Sequence, residues 1–270
     1  MTNLTAVELE QYRTAGYVIP RYSLPADRVE ALSATLDELI ARNPNVRPEK
    51  LVSAHIEGHN DEGVVGSSLF LELARDPHIL DMVEQVLGPD IVLWGCQIFC
   101  KPGGDGMAVP MHQDGQYWPI RPLANCTVWV AIDESKAENG CLRIVPGSHR
   151  EQRIFEHDHD TRDGLVLRDK VRPEHIESEP VDVELEPGQM SLHDIYLIHG
   201  SNANRSSKRR AGVAIRYMPA TSLFDRSLIA RSDNAGFTVD FSTRPLWLLR
   251  GRDRAGNDFE IGHAQTPGNS

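Results

Sequence analysis

The strongest constraint on the fold is a change in sequence texture near residue 90 of this 270-residue chain. From there on, apolar runs are short, rich in β-branched residues and separated by Gly, Pro and Asn, which is typical of strands joined by turns. No long helical pattern lies between these runs, which argues against a parallel sheet of βαβ units. The sequence therefore predicts a mainly β fold with flanking helices, of the sandwich or barrel type such as a jelly roll.

Six segments of this part of the chain are predicted to be strands. They are IVLWGCQIFC (91–100), TVWVAID (127–133), CLRIVPG (141–147), VDVEL (181–185), MSLHDIYLIHG (190–200) and AGVAIRYMP (211–219). Residues 150–180 are highly charged and weakly periodic. We expect a long surface loop there, of a length that is often functional.

Helical patterns dominate the first 89 residues. Capping residues or a proline mark the start of each helix, and Gly or Asn-Pro marks its end. The predicted helices run from Thr5 to Gly16, from Pro25 to Asn43 and from Asp76 to Gly88. We expect a single domain over 1–270, with a helical part over 1–89, a jelly-roll core over 90–220 and a C-terminal extension over 221–270.

The composition is that of an ordinary globular protein, with 40% hydrophobic and 25% charged residues. The formal net charge of -11 argues against a nucleic-acid partner. No apolar run approaches the roughly 20 residues that span a bilayer, and no signal peptide is visible. The four cysteines form no C-x-x-C pair and are expected to be reduced. We expect a cytoplasmic protein without a membrane partner, either monomer or homodimer.

The residues that point to chemistry are His112, Asp114 and His199. Residues i and i+2 of a strand share a face, so His112 and Asp114 are predicted to converge on one point. His199 comes late in another apolar segment. Two histidines and one carboxylate form the facial triad of non-haem iron(II) oxygenases, which leaves positions open for 2-oxoglutarate and dioxygen.

Other interpretations of these histidines remain open. An H-x-D triplet is a weak signal, and either histidine of the triad is also compatible with a buried core residue. The run His157-Asp158-His159-Asp160 is a competing cluster, which we interpret as a solvated loop because it has no apolar neighbours. His193 is interpreted as a structural residue, with a place in the pocket wall as the alternative.

Arg210 is the candidate for the distal carboxylate of 2-oxoglutarate. The turn-rich segment between His199 and Arg210 predicts a hairpin that returns the chain beside the metal. A guanidinium binds a carboxylate through a bidentate fork. Ser201 has the strand parity of His199 and is expected to add a hydroxyl group. The alternative is a surface arginine in the basic turn KRR.

Three motifs resemble the phytanoyl-CoA dioxygenase family. HQDGQYWPIRP (112–122) is similar to that family's HQD segment. NGCLRIVPGSHR (139–150) resembles its N-G-C-L and P-G-[ST]-H element. LIHGSNANRSSKRR (197–210) resembles its distal histidine, H-G-S and arginine. The resemblance is close over residues 90–218, loose over the N-terminal helices and weak after 221.

This resemblance implies a double-stranded β-helix and an iron site formed by His112, Asp114 and His199. It also implies that 2-oxoglutarate is contacted by four residues, namely Arg210, Ser201, Trp129 and Gln97. Some members of the family supply a lysine from upstream, for which Lys50 and His55 are the candidates here. Halogenases that resemble the family replace the carboxylate ligand by a small residue, so Asp114 favours hydroxylation.

Substrate residues are predicted around the same site. Tyr117 and Trp118 follow the HQD turn and are expected to wall the pocket, where an aromatic pair holds an apolar or cationic group. Arg121, Arg143 and Arg216 are candidates for binding an anionic end. These residues favour a small polar or zwitterionic metabolite, such as an amino acid, an alkylphosphonate or a natural-product intermediate.

The sequence thus predicts an iron(II)- and 2-oxoglutarate-dependent dioxygenase that hydroxylates an unactivated C–H bond of a small molecule. An acyl-CoA hydroxylase of the same mechanism is the nearest alternative. A metal-binding jelly roll without turnover is a second, and Arg210 with Ser201 argues against it. A zinc hydrolase is a third, and it lacks a recognisable general base.

Overall fold

The computed structural model describes residues 2–60, 63–227 and 241–263. The helices in this part of the chain are α1 (Ala6–Ala15), α2 (Ala26–Arg42), α3 (Ser68–Ala74) and α4 (Pro77–Leu87). The strands are β1 (Tyr17–Val18), β2 (Leu51–Val52), β3 (Gly58–His59), β4 (Val65–Gly66), β5 (Ile91–Lys101), β6 (Val109–His112), β7 (Ile120–Arg121), β8 (Cys126–Ala131), β9 (Leu142–Ile144), β10 (His157–His159), β11 (Asp169–Val171), β12 (Val181–Val183), β13 (Met190–Asp194), β14 (His199–Ser201), β15 (Arg210–Pro219), β16 (Leu223–Phe224) and β17 (Trp247–Arg250).

Two antiparallel sheets form the core. The major sheet has the strand order β1-β13-β8-β15-β5-β17, with β2 also paired to β5, and the minor sheet has the order β12-β9-β14-β6. Between them lies an apolar layer that includes Trp129 and Ala214 from the major sheet and Leu142 and Ile144 from the minor sheet. The predicted jelly roll, a double-stranded β-helix, is confirmed.

The three predicted helices are confirmed, because their end signals are local. In α1 the Thr5 side chain accepts from the Glu8 amide and the Glu8 carboxylate accepts from the Thr5 amide, which completes the capping box. Gly16 ends that helix with a φ of 83°. Helix α4 begins after Asp76, whose side chain caps two amides. The apolar faces of α2 and α4 pack on the outer face of the major sheet.

The N-terminal part is less helical than the sequence predicts. It contributes strands β1 to β4, and β1 and β2 join the major sheet through β13 and β5. Helix α3 was also missed. These elements are two to seven residues long, too short for periodicity to separate them from loops.

Strand β15 separates the two environments of the major sheet. Its residues Ala211, Val213, Ile215 and Tyr217 belong to the core beneath the helices. The alternate residues point the other way, towards the minor sheet, as the two-residue period of a strand requires. A bulge in β5 opposite Arg216 and Tyr217 shifts its parity, so that Trp94 and Gln97 both line the interior.

The segment 190–200, predicted as one strand, is two strands in different sheets. The chain turns after β13, where the Asp194 carboxylate accepts from the Tyr196 amide and the Asp194 carbonyl oxygen accepts from the Leu197 amide. This turn carries the chain from the major to the minor sheet. The polar pair His193-Asp194 inside an apolar run was the signal for the break.

The predicted hairpin between His199 and Arg210 is also wrong. Strand β14 pairs with β6 and β9, whereas β15 pairs with β5 and β8. The connection therefore crosses between the sheets. Asn204 fixes it by donating to the carbonyl oxygens of Lys101, Pro102 and Lys208.

Residues 150–180 are more ordered than a surface loop. Strands β10 and β11 form a hairpin, in which Asp158 and Asp160 bind the guanidinium groups of Arg172 and Arg162. Val166 and Leu167 line the interior cavity described below. At the C-terminal side, β17 pairs with β5 and thereby extends the major sheet. Among the described residues, no helix is long and apolar enough to cross a membrane.

Candidate metal centre and cofactor pocket

The two histidines that are candidate metal ligands are neighbours in the minor sheet. His112 ends β6, His199 begins β14, and the two residues pair directly in the register of these strands. Their ring centroids are 4.4 Å apart, and both side chains are buried. Antiparallel pairing thus brings together two residues that are far apart in the sequence.

Each imidazole is fixed by the same backbone device. His112 Nδ1 lies 2.8 Å from the Pro110 carbonyl oxygen, and His199 Nδ1 lies 2.9 Å from the Leu197 carbonyl oxygen. A carbonyl oxygen only accepts, so Nδ1 carries a proton in both rings, and Nε2 is the nitrogen whose lone pair a neutral ring can offer. Burial and the neighbouring His112 lower the pKa of His199 to about 4, which keeps this ring neutral. A neutral imidazole with a fixed tautomer is prepared to bind a metal.

Asp114 completes the ligand set from a turn rather than from a strand. It begins a 3-10 turn, Asp114–Gln116, directly after β6. Its Oδ1 lies 3.5 Å from His112 Nε2 and 3.9 Å from His199 Nε2. Burial acts to raise the pKa of this carboxyl, but His199, His112 and Arg216 together hold it below its usual value.

The three ligand atoms fit a metal site. They lie within 4.8 Å of one another, and no other group of three His, Cys, Asp or Glu in the described ranges meets in this way. Two imidazole nitrogens and one ionised carboxylate match the facial triad of iron(II). The His157–Asp160 run is dispersed: His159 is exposed, and Asp158 and Asp160 form ion pairs. His157 instead accepts a hydrogen bond from the Gln113 amide, next to the candidate site.

The ligand set opens into a cavity between the two sheets. Besides the three candidate ligands, its walls contain eight residues that the sequence analysis named as candidates for binding the co-substrate or the substrate. These are Lys50, Gln97, Tyr117, Trp118, Trp129, Ser201, Arg210 and Arg216. His55 is buried elsewhere, against the Trp247 ring, so of the two candidates for an upstream lysine only Lys50 reaches the cavity.

Arg210 lies at one end of this cavity. It is 3% exposed, its Nε donates to the Gly140 carbonyl oxygen (3.0 Å) and its Nη1 donates to the Phe99 carbonyl oxygen (3.1 Å). The guanidinium carbon lies 5.4 Å from the Trp129 ring centroid. Among the described residues, no ion pair neutralises this arginine. Its buried charge is therefore available to an anion.

A second basic residue, Lys101, was missed by the sequence analysis. It faces Arg210 across β5 and β15, and its Nζ donates to Ser201 Oγ (2.7 Å) and to the Asn202 carbonyl oxygen. Burial, followed by the charge of Arg210, lowers the pKa of Lys101 to about 6. Its only sequence signal was a lysine at the end of an otherwise apolar strand.

Two glycines shape this end of the cavity. Gly140 has a φ of 79°, and a Cβ there would lie 2.5 Å from the Asn202 carbonyl oxygen. A Cβ at Gly212 would lie 2.2 Å from Trp129 Cζ2. The absence of a side chain at Gly140 and Gly212 thus lets the backbone and the indole ring approach Arg210 closely.

The predicted substrate residues divide into two groups. Tyr117, Trp118 and Arg216 line the cavity. Arg121 is exposed, and its Nη1 donates to the Trp118 and Ile120 carbonyl oxygens, so the structure does not bring it to the site. Arg143 pairs with Asp182 on the outer face of the minor sheet. Strand parity was the missing information in both cases.

Three further residues line the cavity, of which the sequence analysis offered only His193, as an alternative to a structural role. His193 on β13 is buried, and its ring centroid lies 5.0 Å from that of His199. Burial and then His199 lower its pKa to about 3, so the ring is neutral. Phe241 and Arg244 enter from the C-terminal segment. That segment carries no motif that the sequence analysis used.

Known proteins resemble this chain over most of its length. The phytanoyl-CoA dioxygenase family model matches residues 12–212. A peroxisomal phytanoyl-CoA dioxygenase of Bos taurus is 30% identical over 238 residues, which cover 82% of this chain and 68% of the relative. An ectoine dioxygenase of Halomonas elongata is 25% identical over 236 residues, covering 79% and 70% respectively.

A solved structure supports the same relationship. The epimerase SnoN, in complex with Fe3+, alpha ketoglutarate and nogalamycin RO, superimposes with a TM-score of 0.66 at 27% identity. The match covers 84% of this chain and 88% of SnoN. On the family match and the similarity to the Bos taurus relative, the chain belongs to the phytanoyl-CoA dioxygenase family of iron(II)- and 2-oxoglutarate-dependent oxygenases.

Proposed function

We propose that this protein uses iron(II), 2-oxoglutarate and dioxygen to hydroxylate an unactivated C–H bond of a small polar or zwitterionic metabolite. The observation that carries the proposal is that the ligand set and Arg210 share one cavity. A metal-binding protein without turnover has no use for a buried arginine at a distance from the metal. The two groups together match the two ends of 2-oxoglutarate.

In this proposal, His112, Asp114 and His199 hold the metal. Arg210 binds the distal carboxylate of 2-oxoglutarate, with the Ser201 hydroxyl beside it and Trp129 under the guanidinium. Iron with 2-oxoglutarate supplies an oxidative decarboxylation in which dioxygen gives one oxygen atom to succinate and the other to the substrate. The protein contributes orientation and a water-poor cavity.

The backbone hydrogen bonds of the two imidazoles give the site its rigidity. They hold Nε2 of both rings towards the same point as the Asp114 carboxylate. The ligands act as ligands rather than as acid–base groups, because the lowered pKa values keep the His199 ring neutral and the carboxylate ionised. The hydroxylated position is thus set by how the substrate lies in the cavity.

The choice of substrate rests on the cavity wall rather than on the relatives. One relative is named for phytanoyl-CoA and another for ectoine, so their names point to different kinds of molecule. The wall combines the aromatic rings of Tyr117 and Trp118 with the guanidinium of Arg216. This combination suits a small molecule with polar groups better than a long acyl chain.

The test is a turnover assay with iron(II), 2-oxoglutarate and oxygen. The panel contains amino acids, alkylphosphonates and long-chain acyl-CoA esters. We expect succinate and a product heavier by one oxygen atom, in equal amounts, from a small polar member. Asp114→Ala and His199→Ala should both reduce turnover to background, whereas Arg121→Gln, outside the cavity, should not. Turnover of acyl-CoA esters alone would contradict the proposed substrate class.

A further inference from the structure

The cavity is cationic in a chain that is acidic overall. Leaving Arg244 aside, Lys50, Arg210 and Arg216 are basic and Asp114 is the one acidic residue among the described residues that line it, a surplus of two positive charges. The whole chain has a formal net charge of -11. A bound iron(II) ion and a 2-oxoglutarate dianion balance each other, so the surplus persists with both in place. A cavity of this charge concentrates anions.

Arg216 is too far from Arg210 to share its ligand group. Both lie on the cavity face of β15, separated by Gly212 and Ala214 on that face. Six residues of a strand span about 20 Å. A carboxylate bound at Arg210 therefore leaves the Arg216 guanidinium available to a different group.

The Arg216 side chain is fixed in place but incompletely hydrogen-bonded. Its guanidinium carbon lies 5.0 Å from the Trp118 ring centroid and 5.5 Å from that of Trp94, and its Nη2 donates to Gln97 Oε1 (3.0 Å). Its Nε is buried and has no partner in the described part of the chain. No salt bridge within 4 Å there includes Arg216 either, although its charge acts on the nearby metal-ligand candidate Asp114. Buried donors without partners are rare in proteins, which points to a missing acceptor.

His193 provides a second, independent indication of a ligand. Thr127 of β8 pairs with Arg216 on one side and with His193 on the other, so the three residues form one row across the major sheet. All three line the cavity. His193 is 2% exposed, and neither of its ring nitrogens has a hydrogen-bond partner among the described residues. One row thus carries two buried polar side chains with unused hydrogen-bonding capacity.

The support behind this row is rigid. Trp94 Nε1 donates to Asn125 Oδ1 (2.8 Å), and Asn125 Nδ2 donates to Thr127 Oγ1 (3.0 Å). The Trp94 and Trp118 rings pack edge to face at 4.6 Å. These contacts hold the guanidinium and the hydroxyl in a fixed geometry before any ligand binds, which reduces the entropic cost of binding.

We propose that the substrate carries an oxyanion, namely a carboxylate, phosphonate or sulfonate, that binds Arg216 beside Thr127 and His193. A guanidinium offers such a group two parallel N–H donors. Iron(II), held by Asp114 and His199, would then lie next to this row, with 2-oxoglutarate extending from it to Arg210. The aromatic wall covers the body of the substrate. This inference rests on the proposed function and narrows its substrate class to anions and zwitterions.

The test measures binding of simple anions by tryptophan fluorescence, because two tryptophans contact Arg216. The protein is loaded anaerobically with iron(II) and saturated with 2-oxoglutarate, which fills the Arg210 end. The probes are benzoate, phenylphosphonate and benzenesulfonate, with benzamide as the neutral comparison. We expect at least one anion to bind, and benzamide to bind at least tenfold more weakly.

Variants of Arg216 locate the bound anion. Arg216→Gln should weaken anion binding by about tenfold or more, as expected for a hydrogen-bonded charge. Arg216→Lys, which keeps the charge but not the fork, should recover part of this loss. Arg121→Gln changes the net charge equally from an exposed position and should bind as the wild type does. Thermal melting of each variant controls for folding.

Two results separate this inference from the proposed function. Failure of wild-type protein to bind 2-oxoglutarate in the same samples contradicts the proposed function. If 2-oxoglutarate binds normally, the inference alone is overturned by any of three results. These are that all three anions fail to bind, that benzamide binds as tightly as the anions, or that folded Arg216→Gln keeps the wild-type affinity for the anions.

Discussion

At the scale of single residues, the informative feature is a pair of buried basic side chains that form no salt bridge with a carboxylate in the described part of the chain. Lys101 and Arg210 face each other on neighbouring strands, and both have lowered pKa values, about 6 and about 10, chiefly because of burial. Burying two like charges is unfavourable unless an anion joins them. A dianionic co-substrate at this position removes the penalty.

This arrangement predicts that 2-oxoglutarate binding takes up a proton. In the free protein Lys101 is mostly neutral at pH 8, and a carboxylate beside Ser201 should raise its pKa. The protonated form binds the anion more tightly, so affinity should fall as pH rises from about 6, by up to roughly tenfold per pH unit. Calorimetry in buffers of different ionisation enthalpy measures the uptake.

Lys101→Met is the diagnostic variant. We expect 2-oxoglutarate affinity to be at least about tenfold weaker, with little pH dependence and no proton uptake. Lys208→Met, which removes an exposed lysine from the connection before Arg210, should behave as the wild type. A wild-type affinity that does not change between pH 6 and 8 would refute this role for Lys101.

At the scale of elements, β15 connects the helix-facing core to the cavity. On one side of this strand the residues are apolar and belong to the core beneath the helices. On the other side they are Arg210, Gly212, Ala214 and Arg216. The small residues in the middle make room for the Trp129 ring and for a ligand. The spacing of the two arginines is therefore a property of the strand.

Gly212→Ala should damage both packing and binding. The added methyl group would lie 2.2 Å from the Trp129 ring, inside a central strand. We expect a loss of about 1–3 kcal/mol in the free energy of unfolding, together with weaker 2-oxoglutarate binding as Trp129 moves from Arg210.

Gly95→Ala is the matched control on the neighbouring strand. Its methyl group would meet Arg216 Cδ at 3.8 Å, an ordinary contact. We expect stability within about 1 kcal/mol of the wild type. Urea denaturation measures both variants. If the two alanine variants had the same free energy of unfolding, the prediction that a side chain at position 212 clashes with the Trp129 ring would be wrong.

Local signals made the helices and most strands predictable. Helix ends are set by capping residues that bond to the backbone a few positions away, so the local sequence is sufficient to place them. Examples are Thr5 with Glu8, Asp76-Pro77 and Gly88. The break in 190–200 and the crossing before Arg210 depend on which sheet each strand joins. That choice is made by contacts distant in sequence, which periodicity does not contain.

The candidate site was predictable to a similar extent. The H-x-D pair, the distal histidine and Arg210 lie in motifs with recognisable spacing. Lys101 bonds to Ser201 across 100 positions and was not identifiable from local pattern. His193 reaches the cavity through sheet pairing, which is why the sequence offered this place only as an alternative to a structural role. Arg121 was wrongly included because a charge near a motif was taken as a charge in the cavity.

At the scale of the whole molecule, charge is separated between surface and interior. The chain is acidic, yet the described lining of its cavity is basic. The jelly roll makes this possible, because the major sheet supplies Arg210 and Arg216 and the minor sheet supplies His112 and His199. Both sheets must therefore keep their relative position for the metal and the co-substrate to bind together.

The most direct test of the central claim is an anaerobic titration of iron(II)-loaded protein with 2-oxoglutarate, followed by visible absorption. We predict a weak charge-transfer band that saturates with 2-oxoglutarate. His199→Ala and Arg210→Ala should abolish it at the same concentrations, whereas Lys208→Ala should keep it. Iron binding without any such band would contradict the assignment of the cavity to iron and 2-oxoglutarate.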